Sequence, residues 1–274
     1  MNAQDELQRL VDAVTASPRY AAISLELVRS VGARELQKRR NFKEAVKHTR
    51  SKLHQVGVAY QEGGMDYASW QLELSHLPAD MSSVKLRDYC LRVMAAHAST
   101  RERLPILELF YQEIFSQLPT VQSILDVACG LNPLCLPWMR LEKSTRYYAC
   151  DIYEDMVGFV NYFLAFVGVS GGAEIRDLTA RIPEVEVDLA LVLKTLPCLE
   201  QLDKSVTPRL LQGLRAKFIL VSFPAQSLGG RAKGMPQFYE AQFLKQVENL
   251  PFRVSTLSFK TELAFLLERV APED

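Results

Sequence analysis

The chain has 274 residues, enough for one large domain or two modest ones, each able to bury a core. Its 48% hydrophobic and 23% charged content is that of an ordinary globular protein and excludes a disordered or low-complexity chain. Thirty-two basic residues balance 32 acidic ones, so no global charge marks a polyanion binder, yet Arg29–Lys52 alone carries nine basic residues against two acidic ones.

The opening MNAQDELQRL is charged from its first turn and does not read as a signal peptide. Residues 1–100 read as helices throughout, which predicts an all-helical N-terminal domain ahead of a second domain over 101–274. Asn41 followed by Glu44 is an N-cap with a loose capping box. Behind it, Phe42, Val46, Thr49, Leu53 and Val56 recur at helical spacing as one apolar stripe. Lys43, Lys47, Arg50 and His54 form a second stripe, displaced by roughly a quarter turn. Such a basic face is either solvated surface or a phosphate-binding face. Turns are expected at Glu62–Met65 and Pro78–Asp80. One helix should carry Leu86, Cys90, Val93, Met94 and His97, and another should run from about Thr100 to Gln117.

From Ser123 the pattern changes to strands alternating with helices. Strands are expected at Ser123–Val127, Tyr147–Asp151, Glu174–Leu178, Val187–Lys194, Lys217–Phe223, Phe252–Phe259 and Leu263–Arg269. The spacing of the first five argues for parallel pairing, and the short link around Thr261 makes the last two a hairpin. The most apolar window, Phe159–Val169, is about half the ~20 residues a membrane span needs, so no membrane partner is expected. The five cysteines form no C-x-x-C pair, and the four histidines show no metal-ligand spacing. Reduced thiols, a cytoplasmic location and no metal are the expectation.

SILDVACGLNPL (Ser123–Leu134) reads as a buried strand running into a glycine turn, and Asp151 follows Gly130 by 21 residues. A doubly wound nucleotide fold places a backbone turn and a ribose-binding carboxylate in this way. With Gly130 alone, the dinucleotide fingerprint G-x-G-x-x-G is missing, which favours a mononucleoside cofactor such as S-adenosylmethionine over NAD. The turn Ala128-Cys129-Gly130 would let the backbone approach the methionine part, and Asp151 would accept both ribose hydroxyls. Asp177 falls where an adenine amine is expected; a simple turn aspartate is the competing reading. Lys194, ending the fourth strand, either faces the ligand crevice or snorkels to its rim. In SFPAQSLGGRAKGM (Ser222–Met235), Arg231 and Lys233 sit among glycines, as suits a loop gripping a phosphate backbone or an ordinary solvated loop.

Four segments, HASTRERLP (His97–Pro105), DVACGLNPL (Asp126–Leu134), LVLKTLPCLE (Leu191–Glu200) and SFPAQSLGGRAKGM, closely resemble the aminoglycoside-resistance 16S rRNA methyltransferases that modify N-7 of a decoding-site guanine. SPRY (Ser17–Tyr20), LVRS (Leu27–Ser30) and SKLHQVGVAY (Ser51–Tyr60) are similar to that family's helical extension. The resemblance implies a Rossmann-like class I methyltransferase core of α/β type with an N-terminal helical domain, docking as a monomer on 16S rRNA in the assembled 30S subunit. It implies S-adenosylmethionine as cofactor, with Arg103 on its carboxylate, Ala128 and Gly130 in the turn, Asp151 on the ribose, and Asp177 with Leu178 at the adenine. Lys194, Glu200, Arg231 and Glu262 resemble positions the family needs around the target nucleotide, either carboxylate being a candidate for stabilising the charge that develops on the ring. Lys43, Lys47, Arg50, Arg231 and Lys233 are the implied RNA contacts. The chain departs from the family at Val58, where glycine is usual, and in KTELAFLL, where Gly-Asn-Glu-Leu is more common. A methyltransferase of another RNA, or a ribosome-binding protein without activity, remains an open alternative.

Overall fold

The structure, a computed structural model, describes residues 3–61, 64–225 and 235–270. Among the described residues eight α-helices precede the sheet, the first six being α1 (Ala3–Thr15), α2 (Pro18–Ala21), α3 (Leu25–Lys38), α4 (Phe42–Val56), α5 (Tyr67–Ser75) and α6 (Val84–Met94). Asn41 caps α4, its side-chain oxygen accepting from the Glu44 N–H at 2.9 Å. Thr49 and Leu53 of the expected stripe are fully buried, and Ala45 joins them.

The helix expected over Thr100–Gln117 is broken. It divides into α7 (Ala98–Arg103) and α8 (Leu107–Ser116), with a single 3₁₀ turn at Leu104–Ile106 between them. Pro105 causes the break, because it has no N–H to continue the ladder and its ring crowds the preceding turn. His97, expected on the helix before, lies three residues beyond the end of α6 and opens α7 instead.

Seven strands follow: β1 (Ser123–Val127), β2 (Arg146–Asp151), β3 (Gly171–Ile175), β4 (Val187–Leu193), β5 (Ala216–Pro224), β6 (Phe252–Ser258) and β7 (Glu262–Arg269). They form one sheet in the order β3-β2-β1-β4-β5-β7-β6. The first five in that order are parallel, and β7 and β6 close the edge as an antiparallel hairpin. The third strand starts three residues earlier than expected. Gly171 reads as a turn residue, but it pairs with Tyr147 at a positive φ of 124° and so close that a Cβ would lie 2.0 Å from the Tyr147 carbonyl oxygen. Only glycine fits there. Asp177 and Leu178 therefore lie beyond the strand, in the turn after it.

Remaining helices are α9 (Leu136–Met139), α10 (Glu154–Phe166), α11 (Leu196–Leu199), α12 (Val206–Gly213) and α13 (Met235–Val247). Side chains alternate across β4: Leu189, Leu191 and Leu193 enter one apolar cluster while Ala190 and Val192 enter the other. Burial on both faces is what a parallel sheet requires. The second cluster contains α12 and α13; the first contains α10 and, with it, the N-terminal helices. Leu10, Val28 and Leu53 share this cluster with Phe159, Ile124 and Leu191. The expected boundary at residue 100 falls inside α7, and the helical region shares its core with the sheet. Backbone bonds tie the two together, Ser24 N–H to the Ile152 carbonyl at 2.7 Å and Glu154 N–H to that of Ala22 at 2.9 Å. Among the described residues no helix is long and apolar enough to cross a membrane.

Phe159 is the centre of that junction. It is wholly buried on α10, with the rings of Tyr67 and Trp70 from α5 at 5.4 and 5.7 Å. Phe159→Ala is expected to destabilise the chain by about 3–5 kcal/mol, read as a lower urea midpoint, because the two regions cannot collapse into the space left.

Candidate active site

The strand order reverses between β1 and β4, the switch point where an open α/β sheet leaves a crevice at its carboxyl edge. A cleft of about 870 Å³, part of it open to solvent, lies there. Its floor is built by strand ends that turn sharply: Ala128 at φ 49°, Gly130 at φ 52° and Lys194 at φ 56° are all left-handed. For Ala128 and Lys194 this conformation is strained, and such residues cluster where a site needs a backbone group aimed. At the two departures from the family pattern, Val58 and Lys260-Thr261, the backbone is not left-handed.

Asp151 ends β2 at the cleft. Its Oδ2 accepts from the Gly130 N–H at 2.8 Å and its Oδ1 from the Ile152 N–H at 2.7 Å, so the turn and the carboxylate form one unit. Burial pushes its pKa up against these donors. Asp177 makes the aspartate turn that was one of its two readings: one oxygen accepts from the Thr179 N–H and hydroxyl at 2.8 and 2.7 Å, and the other is enclosed without a partner among the described residues. Leu178 lines the cleft beside it.

At the opposite end, Arg103 is wholly buried. Its Nε and Nη2 donate to Glu262 at 3.0 and 2.6 Å, and Nη1 donates to the Asn132 amide oxygen at 2.7 Å. Asn132 passes the chain on, its Nδ2 donating to Asp126 at 2.8 Å, where the Tyr147 hydroxyl also donates at 2.7 Å. The second oxygen of Asp126 has no partner among the described residues. Burial pushes this carboxyl up to about 7, although Asn132 and Tyr147 both favour its charged form. Sequence reasoning placed Asp126 only in the strand motif; no pattern along the chain reveals an orphaned oxygen.

Lys194 lines the cleft, and its ammonium is tethered to the Ser99 carbonyl and to Glu102, both at 2.9 Å, with Glu262 at 3.4 Å. Glu200 and Glu262, expected beside the target nucleotide, do not line the cleft. Glu262 is completely enclosed; burial raises its pKa, but Arg103 and Lys194 outweigh burial and hold it below the ordinary range. Glu200 instead accepts from Thr207, Gln242 and Gln246, joining α11 to α12 and α13. Arg231 and Lys233 lie outside the described residues. Lys43 and Lys47 are exposed, whereas Arg50 is half-buried and donates to the Ala13 carbonyl at the end of α1. The N-terminal helices supply a wall of the cleft through Leu27, Val56, Gly57 and Tyr60, and His97 and Arg176 also line it; none of these was singled out from the sequence. Among the described residues no group of His, Cys, Asp or Glu is arranged to hold a metal.

The shifted carboxyl gives a pH test. Asp126 has a folded pKa above its unfolded value, so it contributes stability at low pH that is lost as pH rises from about 4 to 7. Asp126→Asn removes this ionisation. Melting temperatures of the cofactor-free variant should decline less than wild type between pH 5 and 7, and an identical slope would contradict the burial of charge.

The model of the ribosomal RNA methyltransferase (FmrO) family matches residues 16–266. A 16S rRNA (guanine(1405)-N(7))-methyltransferase of Micromonospora echinospora is 35% identical over 268 residues, covering 97% of this chain and 98% of its own. One of the same name from Serratia marcescens is 32% identical, over 89% of each chain. Among solved structures, the 16S rRNA methyltransferase RmtF in complex with S-adenosyl-L-homocysteine superposes with a TM-score of 0.82 at 30% identity, over 98% of this chain and all of its own. The 16S rRNA methylase RmtB gives 0.78 at 27% identity, over 98% and 99%. A match across nearly the whole chain, in sequence and in fold, makes this protein a member of the FmrO family of ribosomal RNA methyltransferases.

Proposed function

We propose that this chain transfers the methyl group of S-adenosylmethionine to N-7 of guanine 1405 of 16S rRNA, acting as a cytoplasmic monomer on the 30S subunit, and that the modification gives resistance to kanamycin and gentamicin. The observation that carries the reading is a row of acidic groups near the ends of three adjacent strands: Asp126 in β1, Asp151 closing β2 and Asp177 in the turn after β3. All three line one cleft, and among the described residues the outer two each present an enclosed oxygen with no protein partner. The cofactor has donors in that arrangement: an ammonium, two ribose hydroxyls and an adenine amine. Arg103, with two N–H groups left uncommitted, suits the carboxylate beside the ammonium.

When bound, the cofactor supplies an electrophilic methyl carbon. Guanine N-7 carries a lone pair and no proton, so the chain need not remove one. Its task is to orient the acceptor and to exclude water. In A-form RNA the groove that contains N-7 is deep and narrow, so the base must be swung out to reach a cleft of this depth. Lys43 and Lys47, exposed on α4, suit phosphate contacts that hold the subunit while this happens; Arg50 serves the packing of α1 on α4.

Incubation with 30S subunits and cofactor should place one methyl on N-7 of guanine 1405, located by mass mapping, and expression in a susceptible bacterium should give growth on both drugs. Asp151→Asn should weaken cofactor binding about 10–100-fold while the chain stays folded. A methyl at another nucleotide would reject the proposed substrate.

Reversing Lys43 and Lys47 to Glu is expected to weaken binding to the subunit and lower its salt slope by about 1 for each phosphate no longer neutralised, with cofactor affinity unchanged. An unaltered slope would assign the stripe to solvated surface.

A further inference from the structure

We propose that His97 distinguishes the cationic sulfonium donor from its neutral thioether product, by presenting an uncharged ring to the sulfur at the middle of the cleft. The inference rests on reading this cleft as the cofactor site. Its ribose end is Asp151, which is bonded to the Gly130 N–H, and its amino-acid end is Arg103 and Asp126, joined through Asn132. The sulfur is covalently bonded to both portions of the cofactor and must lie between them, over Gly130. His97 is the side chain packed on that residue: a Cβ added to Gly130 would come 2.8 Å from the imidazole Cε1. The ring of Tyr60 is stacked on the imidazole at 6.2 Å with an interplanar angle of 24°.

Lys194 and Arg101 both act on the imidazole as positive charges. Burial, then Lys194, then Arg101 push its pKa down to about 4, so the ring is neutral at physiological pH. Its Nδ1 is enclosed with no partner among the described residues, so a protonated ring would have no acceptor there. A neutral aromatic ring attracts a cation through its face and is indifferent to a thioether. Replacing it with lysine would put a new positive charge in the cleft that holds the sulfonium. Because S-adenosylmethionine and S-adenosylhomocysteine differ at that sulfur by one methyl and one charge, the ratio of their affinities isolates the contact from every other part of the site.

The test is calorimetric titration of the full chain with each compound separately, without RNA. In His97→Ala the preference for the sulfonium compound should fall roughly five- to tenfold relative to wild type. His97→Gln, neutral and of similar reach but without a ring, should fall likewise and stands in if the alanine variant does not fold. His97→Phe should keep most of the preference, and His97→Lys should favour the thioether. Equal weakening of both compounds, with the ratio unchanged, would make the imidazole a mere prop for Tyr60 and overturn the proposal. If wild type binds both compounds and Asp151→Asn alters neither, the cofactor reading itself fails, whatever the His97 variants do.

Discussion

A guanidinium cannot be left in an apolar interior without a counter-charge, and Glu262 provides the one that Arg103 needs. Both side chains are essentially inaccessible to water, and their bidentate contact is the strongest geometry available to such a pair. Other groups join the pair. Ser222 from β5 donates to Glu262, Asn132 accepts from Arg103, and the Lys194 ammonium faces the far oxygen. One buried pair thereby fixes α7, the turn after β1, the end of β4, β5 and the start of β7 in a single arrangement. Removing one partner from such a pair costs about 3–5 kcal/mol, because the other is then charged, buried and alone. Asn132 and Lys194, which both line the cleft, are held against this contact.

The second constraint is that the cleft is incomplete without the N-terminal helices. Gly57 passes so close to Tyr153 that a Cβ there would lie 2.6 Å from the phenol oxygen, and the chain continues into Tyr60 beside His97. Arg34 and Lys52 of α3 and α4 donate to the carbonyls of Leu202 and Gln201, in the segment whose Leu199 and Leu202 line the opposite wall. The surface with exposed Lys43 and Lys47 thus belongs to the body that shapes the pocket. A force applied to α4 by a bound partner acts on the wall of the cleft through packed side chains.

Much of this was legible in the sequence, for identifiable reasons. A strand followed by a tight turn and, 21 residues on, an aspartate is a local pattern, so Gly130 and Asp151 could be found and paired. Asp177 could be found as well, although Gly171 disguised the strand before it as a turn. The hairpin of β6 and β7 could be read because its link is short. What remained hidden depends on contacts between distant residues. Glu262 reaches Arg103 across 159 positions, and no periodicity connects them. His97 has the spacing of a buried position on α6, and only the early end of that helix turns it toward the cleft. Arg50 shows the opposite error: it has the register of a surface stripe, but its reach to the Ala13 carbonyl makes it part of the packing.

Transfer of a methyl group to an unprotonated ring nitrogen conserves charge within the site: a sulfonium becomes neutral while the ring becomes cationic, a displacement of positive charge by a few ångströms. A wall suited to this step needs charges that stay where they are. Lys194 is tethered by a carbonyl and a carboxylate, Arg103 by Glu262 and Asn132, and Asp126 by Asn132 and Tyr147. Each of these would have to break bonds in order to follow the moving charge. Such preorganised groups need no reorganisation as the charge shifts, which is how a site of fixed dipoles outperforms water.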